Sequence, residues 1–263
     1  NVYYLLGYEP PAYLGESILR SPKEIQDRQE ELLFSVDDPE ADDHGPGTYT
    51  YPTDESFPPG VLDLLRFEVL TTEGEVIFRL KFRELTNPWR APLGFSHPLI
   101  NIYLSTHGGE KSSTGTCLRG ANVCFDSENP WDFLLKAAGW PGYGRVIYSA
   151  EGEVIGECEV SSNLEEKTVT ISAARALIGD PEGSPWGYYV LIGSQDGFGP
   201  DNYRPIDETA GPWTGGGNKK GEKAPRVYDM LDPASNGRTQ KEMLGSYNPD
   251  KGEPAIIYPV ITK

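Results

Sequence analysis

The sequence predicts an all-β fold, an antiparallel β-sandwich carrying a few short helices, on three observations. The 263 residues include 30 glycines and 23 prolines, which fall between short apolar runs, the punctuation of a loop-rich β protein. Several runs alternate apolar and polar residues with the period of two that a half-buried strand requires. Hydrophobic residues make up 37% of the chain and aromatics 11%, enough for the core of one large domain. No internal repeat, low-complexity run or linker divides it.

Taken in chain order, Val2, Tyr4 and Leu6 alternate with Tyr3 and Leu5. They predict an N-terminal strand, which either folds back on its own domain or adds to a neighbour's sheet edge. Ser21-Pro22-Lys23-Glu24 is a capping box with proline at the first helical position, predicting a helix that runs to about Phe34. The clearest strands follow. Phe67 and Val69 alternate with Arg66 and Glu68; after Glu73-Gly74, Val76, Phe78, Leu80 and Phe82 alternate with Ile77, Arg79, Lys81 and Arg83. This is a hairpin, charged outside and aromatic inside. Further strands are expected at 99–105, 132–138, 145–149, 153–160, 167–172, 187–194 and 255–261, with Ala150-Glu151-Gly152 closing a second hairpin. Two short helices are expected at 226–232 and from a Thr239/Glu242 capping box to about Tyr247.

Charge and motifs narrow the function. A net charge of −17 argues against a nucleic-acid backbone or an anionic membrane surface as partner and fits a neutral ligand, a cation or simple solubility. No segment approaches the roughly 20 apolar residues of a membrane span. Numbering from Asn1 predicts a processed chain that has lost a signal peptide. Cys117 and Cys124 flank a turn-prone stretch and predict a local disulfide, in keeping with an extracytoplasmic location. Cys158, in an apparent strand, reads as a small buried hydrophobe. Three histidines show no zinc-ligand spacing, and there is no Gly-x-Ser-x-Gly elbow, P-loop or dinucleotide fingerprint. The expectation is a protein that is not an enzyme.

Two features can carry ligands. The first is residues 37–53, where Asp37, Asp38, Asp42 and Asp43 lead into Gly45-Pro46-Gly47. Such a loop is either solvated or gathers oxygen ligands around a hard cation such as Ca²⁺, because unpaired charges are too costly to bury. Its partner is a second Asp/Gly/Pro loop, Gln195-Asp196-Gly197-Phe198-Gly199-Pro200-Asp201-Asn202, with Asp63 able to add a further carboxylate. The alternative is a surface of Asx-turns. The second feature is tryptophan. Trp89, Trp131, Trp140, Trp186 and Trp213 all neighbour proline or glycine, as loop aromatics do when they form platforms for the C–H faces of sugar rings. The alternative is that they plug the ends of the sandwich. Trp213, in the polar stretch 209–221, is the one expected to be exposed.

The run Asp42-Asp43-His44-Gly45-Pro46-Gly47-Thr48-Tyr49-Thr50-Tyr51-Pro52-Thr53, then Phe57-Pro58-Pro59-Gly60 and Asp63-Leu64, resembles the C-terminal module of glucodextranase. Similar modules occur in archaeal amylopullulanases and cell-surface proteins and belong to the DOMON-like, family-9 carbohydrate-binding-module class of β-sandwiches. Asn87-Pro88-Trp89, Gly139-Trp140, Gln195 to Pro200, Arg204-Pro205 and Pro225-Arg226-Val227-Tyr228-Asp229 extend the resemblance in order. It covers about 36–260, so that 36–263 is the sandwich domain and 1–35 an N-terminal strand and helix extension. The resemblance implies a jelly-roll-like, extracellular, non-catalytic module stabilised by calcium, with Asp42, Asp43, Asp196 and Asp201 as ligands. The cysteine pair is a departure from it.

Two functions of different class follow. One is a secreted, calcium-stabilised module that holds an α-glucan or cell-surface glycan on loop aromatics, with Trp89 and Trp213 in the lead. The other is a structural subunit of an extracellular filament, sheath or surface layer, a homopolymer assembled through Val2, Tyr4 and Leu6 by strand addition and through calcium.

Overall fold

The structure is a computed structural model and describes residues 29–106, 120–199, 201–218, 223–232 and 237–262. Glu31–Lys263 form one compact unit. Its strands begin with β1 (Glu31–Asp37), β2 (Leu64–Thr71), β3 (Glu75–Phe82), β4 (Pro98–Ser105) and β5 (Val123–Phe125). Then come β6 (Phe133–Ala137), β7 (Arg145–Ser149), β8 (Val154–Gly156), β9 (Glu159–Asn163) and β10 (Thr168–Ala174). A helical turn, α1 (Arg175–Ile178), leads to β11 (Gly187–Ser194) and β12 (Asp229–Met230). The chain closes with α2 (Gln240–Leu244), β13 (Ala255–Ile257) and β14 (Val260–Ile261).

The strands form the expected sandwich. One sheet runs β1-β2-β3-β10-β9 and the other β12-β11-β4-β6-β7-β8, with β14 added to β11; both are antiparallel throughout. The β2–β3 hairpin follows its alternation. Phe67 sits opposite Leu80 and Val69 opposite Phe78, all buried, while Glu68 faces Arg79 on the outer surface. Ile77, expected outside, pairs with Leu70 and is buried.

Two cores result. Between the sheets Phe67, Phe78, Ile100, Ile102, Trp186 and Tyr188 pack together. On the other face of the second sheet Tyr103, Trp131, Tyr189 and Leu191 pack beneath Phe125 of β5, Ile257 of β13 and Met243 of α2. Strands β4 and β11 are therefore buried along their whole length, which is why they read as continuous apolar runs without alternation.

Four expectations are corrected, the first being that the strand expected at 255–261 is two strands, β13 paired with β5 and β14 paired with β11. The helix predicted to end at Phe34 is strand from Glu31 onward. Phe34 and Val36 turn toward the core with the period of two that pairing with β2 allows and a helix would break, Phe34 stacking on Tyr188 at 5.9 Å; Leu32, of the same parity, is exposed beyond a register shift between Leu32 and Phe34. Residues 21–28 of that helix lie outside the described residues. The helix predicted at 226–232 is extended, with the backbone N–H groups of Tyr228 and Leu231 bonded to the carbonyls of Ile192 and Val190. Val227 to Leu231 are all buried, so the segment has no polar face for a surface helix. The strand predicted at 153–160 is two strands, β8 in one sheet and β9 in the other. Cys158 sits at the crossover as a free buried thiol, its pKa pushed up to about 12 by burial. The Thr239/Glu242 capping box forms as expected and starts α2. Val2, Tyr4, Leu6 and Cys117 lie outside the described residues; Cys124 sits half-buried on β5.

Candidate functional site

The acidic loop does not stay in solvent. Asp38 follows directly on β1, and its Oδ1 accepts from the Asp232 N–H at 2.7 Å. Ala41 takes a left-handed turn (φ 66°) that lets its N–H donate to Asp63 Oδ2 at 2.9 Å. Asp229, wholly buried on β12, accepts from the Leu64 N–H at 2.6 Å. These bonds fold the loop over the start of β2 and the end of β12, so that carboxylate oxygens of Asp38, Asp42 and Asp229 lie within 4.8 Å of one another. Gln240 ties α2 to the same place, donating to the Asp42 carbonyl at 2.5 Å and accepting from the Met230 N–H at 2.6 Å. His44 caps the loop through its Nδ1, 3.0 Å from the Tyr49 carbonyl.

The electrostatics are unusual for a protein surface. One carboxylate oxygen each of Asp38, Asp42, Asp63, Asp229 and Asp232 is buried without a hydrogen-bond partner. Burial, reinforced by the neighbouring carboxylates, pushes Asp38 up to about 9 and Asp42 up to about 7. Burial also raises Asp63 to about 6 and moves Asp43, Asp229 and Asp232 upward. Arg83 reaches Asp63 at 3.5 Å, and Asp43 accepts the Tyr51 hydroxyl. Orphaned acceptors at one point, all oxygen, match the donor set of a hard divalent cation; buried charges otherwise need partners or protons.

Of the five metal ligands expected from sequence, Asp42 is in this cluster and Asp43 and Asp63 lie near enough for their charges to raise its pKa. Asp196 and Asp201 do not. Asp196 lies on the rim of a separate cleft, bonding the Phe198 N–H at 3.0 Å, and Asp201 pairs with Arg226 at 3.3 Å. Asp38, named in the acidic run but not among the five ligands, is a member, and Asp229 and Asp232 join it with no forewarning from that run. The available signal was Asp229 itself, a lone carboxylate inside the apolar run Val227-Tyr228-Asp229-Met230-Leu231.

That cleft is the second element of the site. It encloses about 820 Å³ between loops at one end of the second sheet, and Trp89, Trp140 and Trp213 converge on it. The Trp89 ring lies 6.3 Å from Trp140 and 6.0 Å from Trp213. Trp213 is 51% exposed and Phe198 fully exposed, whereas Trp131 and Trp186 are buried core residues. Beneath the rings the Arg204 guanidinium sits 5.1 Å from Phe57, 5.7 Å from Trp89 and 5.9 Å from Trp213. It is held flat by bonds to the Trp213 and Gln195 carbonyls, both 2.8 Å. One buried cation thus fixes the aromatic rings that form the floor. His97, 4.6 Å from Trp89, is kept neutral by burial, its pKa down at about 4. Polar groups edge the cleft: Tyr143 donates to Gln195 Oε1 at 2.5 Å, and Asp196 lies beside them.

The Trp213 loop is strapped to the acidic loop by backbone bonds. Thr50 and Gly216 exchange N–H···O bonds of 3.0 Å, and the Thr53 N–H donates to the Gly211 carbonyl at 2.9 Å. Gly215 is required where the strap crosses Tyr228, because a Cβ there would lie 1.8 Å from the Tyr228 hydroxyl. Gly215→Ala is expected to destabilise the protein by about 1–3 kcal/mol. Its melting temperature should fall and its tryptophan fluorescence should shift as the Trp213 loop lifts; an unchanged melt would contradict the packing described.

The chain matches, over residues 33–259, the family described as the C-terminal binding module, SLH-like, of glucodextranase. It belongs to that family. The matched span contains every member of the acidic cluster and of the aromatic cleft, and the family is a binding module, not a catalytic domain. No curated protein matches the chain. None of its described helices is long and apolar enough to cross a membrane.

Proposed function

We propose that the protein is an extracellular, non-catalytic module that holds a neutral glycan, an α-glucan or a cell-surface polysaccharide, in the cleft of Trp89, Trp140 and Trp213. The observation that carries this reading is the convergence of three loop tryptophans on one open cleft over a pinned guanidinium. Pyranose C–H faces stack on such rings. Tyr143, Gln195 and Asp196 stand where hydroxyl groups need donors and acceptors. Membership of a family of binding modules supports it. A glycan array followed by calorimetry tests it; an array with no retained glycan would end the reading.

The same reading assigns calcium to the acidic cluster, with Asp38, Asp42 and Asp229 as ligands and Asp43, Asp63 and Asp232 as the surrounding carboxylates. Calcium would supply the positive charge that lets these groups ionise while buried. Its role is structural, joining the end of β1, the acidic loop and β12.

An extracellular location agrees with a Cys117–Cys124 disulfide. Alkylation of the unfolded, unreduced protein is expected to label Cys158 alone, and labelling of all three cysteines would count against the disulfide. The assembly alternative rests on Val2, Tyr4 and Leu6, outside the described residues, and no observation here favours it.

A further inference from the structure

A second concavity, of about 320 Å³, lies on the outer face of the second sheet beyond the cover of β5 and β13. Its floor is a grid set by strand register. Asn101, Lys136 and Val146 make one row across β4, β6 and β7, and Tyr103, Leu134 and Tyr148 make the next. A lysine in the middle of this row is out of place for a packing surface. Its Nζ donates to Asn202 Oδ1 at 2.8 Å and to the Asp201 carbonyl at 3.2 Å, leaving one of three ammonium hydrogens unused. Two residues that line the hollow each hold a buried polar atom without a partner: Asn101 through Oδ1, while its Nδ2 donates to the Tyr203 hydroxyl, and Trp131 through Nε1. Buried polar atoms without partners are rare enough to require an explanation.

The unused groups are mixed in kind: an ammonium hydrogen, an indole N–H and an amide oxygen, with half-buried Tyr148 presenting a ring to the hollow while Tyr103 and Trp131 are buried beneath it. Hydroxyl groups both donate and accept, so a hydroxyl-rich ring satisfies this set. A purely anionic ligand would leave the Asn101 oxygen unpaired and meet the Asp201 carboxylate that shares the hollow. The volume is at the low end of small-molecule sites, about 300–1,000 Å³, the scale of a single small unit. Tyr143 lines both this hollow and the tryptophan cleft, so the two share a wall.

We infer that the hollow over Asn101, Lys136 and Tyr148 is a second subsite, taking one further sugar unit of the same glycan chain that the tryptophan cleft holds. The inference rests on the glycan reading of that cleft. It makes the ligand a chain and not a single sugar or a chain end.

The test is calorimetric titration with glucan, mannan and cellulose oligosaccharides of two to seven units, against the full chain in calcium. For the series that binds, affinity should rise about tenfold or more once the chain is long enough to pass Tyr143, as a second ring is engaged. Tyr148→Ala should bring the ratio of long-chain to short-chain affinity close to one. Lys136→Met should act in the same direction and serves where Tyr148→Ala fails to fold. Trp213→Ala should weaken every length. If Trp213→Ala abolishes binding but affinity is flat with length and indifferent to Tyr148→Ala and Lys136→Met, the cleft reading stands and the hollow holds only water. If no oligosaccharide of any length binds, the cleft reading fails and the second subsite fails with it.

Discussion

Chelating divalent cations at neutral pH is expected to lower the melting temperature by roughly 5–15 °C, because saturating an ion at 100–1,000 times its Kd contributes about 2.7–4.1 kcal/mol and each kcal/mol moves a domain of this size by about 2–4 °C. The physical origin is the set of buried carboxylates. In the metal-free fold Asp38, Asp42 and Asp63 hold protons up to about 9, 7 and 6, against 3.8 in the unfolded chain. Between those limits the folded state binds more protons than the unfolded one, so metal-free stability falls as pH rises. The contribution of these groups is complete below about pH 4 and is lost as pH rises through about 6 to 9. Calcium bound to the ionised carboxylates would oppose this loss. The gap between melting curves in calcium and in EDTA should therefore widen from pH 5 to pH 9. Asp229→Asn separates the terms: it replaces a buried carboxyl that must take up a proton when the metal-free chain folds, so its melting temperature in EDTA should rise above wild type, and its response to calcium should vanish. A lower melt in EDTA with the calcium response intact would refute the assignment.

Replacing Trp213 by alanine is expected to weaken glycan binding about 30-fold, the loss of about 2 kcal/mol characteristic of a binding hot spot. Trp213 is 51% exposed, so little of its contribution goes to the fold and the melting temperature should move by no more than a degree or two. Trp89 behaves differently. It packs on Phe57, His97 and the Arg204 guanidinium, so Trp89→Ala should lose binding and stability together. Calorimetry paired with thermal melts on both variants distinguishes a binding surface from a structural plug; equal loss of stability in the two would favour the plug.

The parts of this molecule legible in its sequence are those set by local pattern. The Phe67-to-Phe82 hairpin shows its inner face directly, and the Thr239/Glu242 cap appears where its two side chains require. Trp213 could be picked as exposed because the polar, glycine-rich stretch around it offers nothing to bury it. What failed was direction. Asp196 and Asp201 share the composition of the acidic loop, yet composition does not say which end of a sandwich a loop faces, and theirs sets Asp196 at the tryptophan cleft and Asp201 against Arg226. Asp229 was hidden inside a run whose length suits a helix; only its pairing with Ile192 across β11 sets it beside Asp38, far away in the chain. The resemblance carried over the fold and the family, but of the ligands it implied Asp196 lies at the cleft and Asp201 pairs with Arg226.

A crystal structure of the protein grown with calcium and a bound oligosaccharide tests the central claim most directly. Sugar rings should stack on Trp89 and Trp213, and an ion should be held at about 2.3–2.6 Å by oxygens of Asp38, Asp42 and Asp229. Sugar bound elsewhere with the tryptophan cleft empty, or an ion at Asp196 and Asp201 instead, would contradict it.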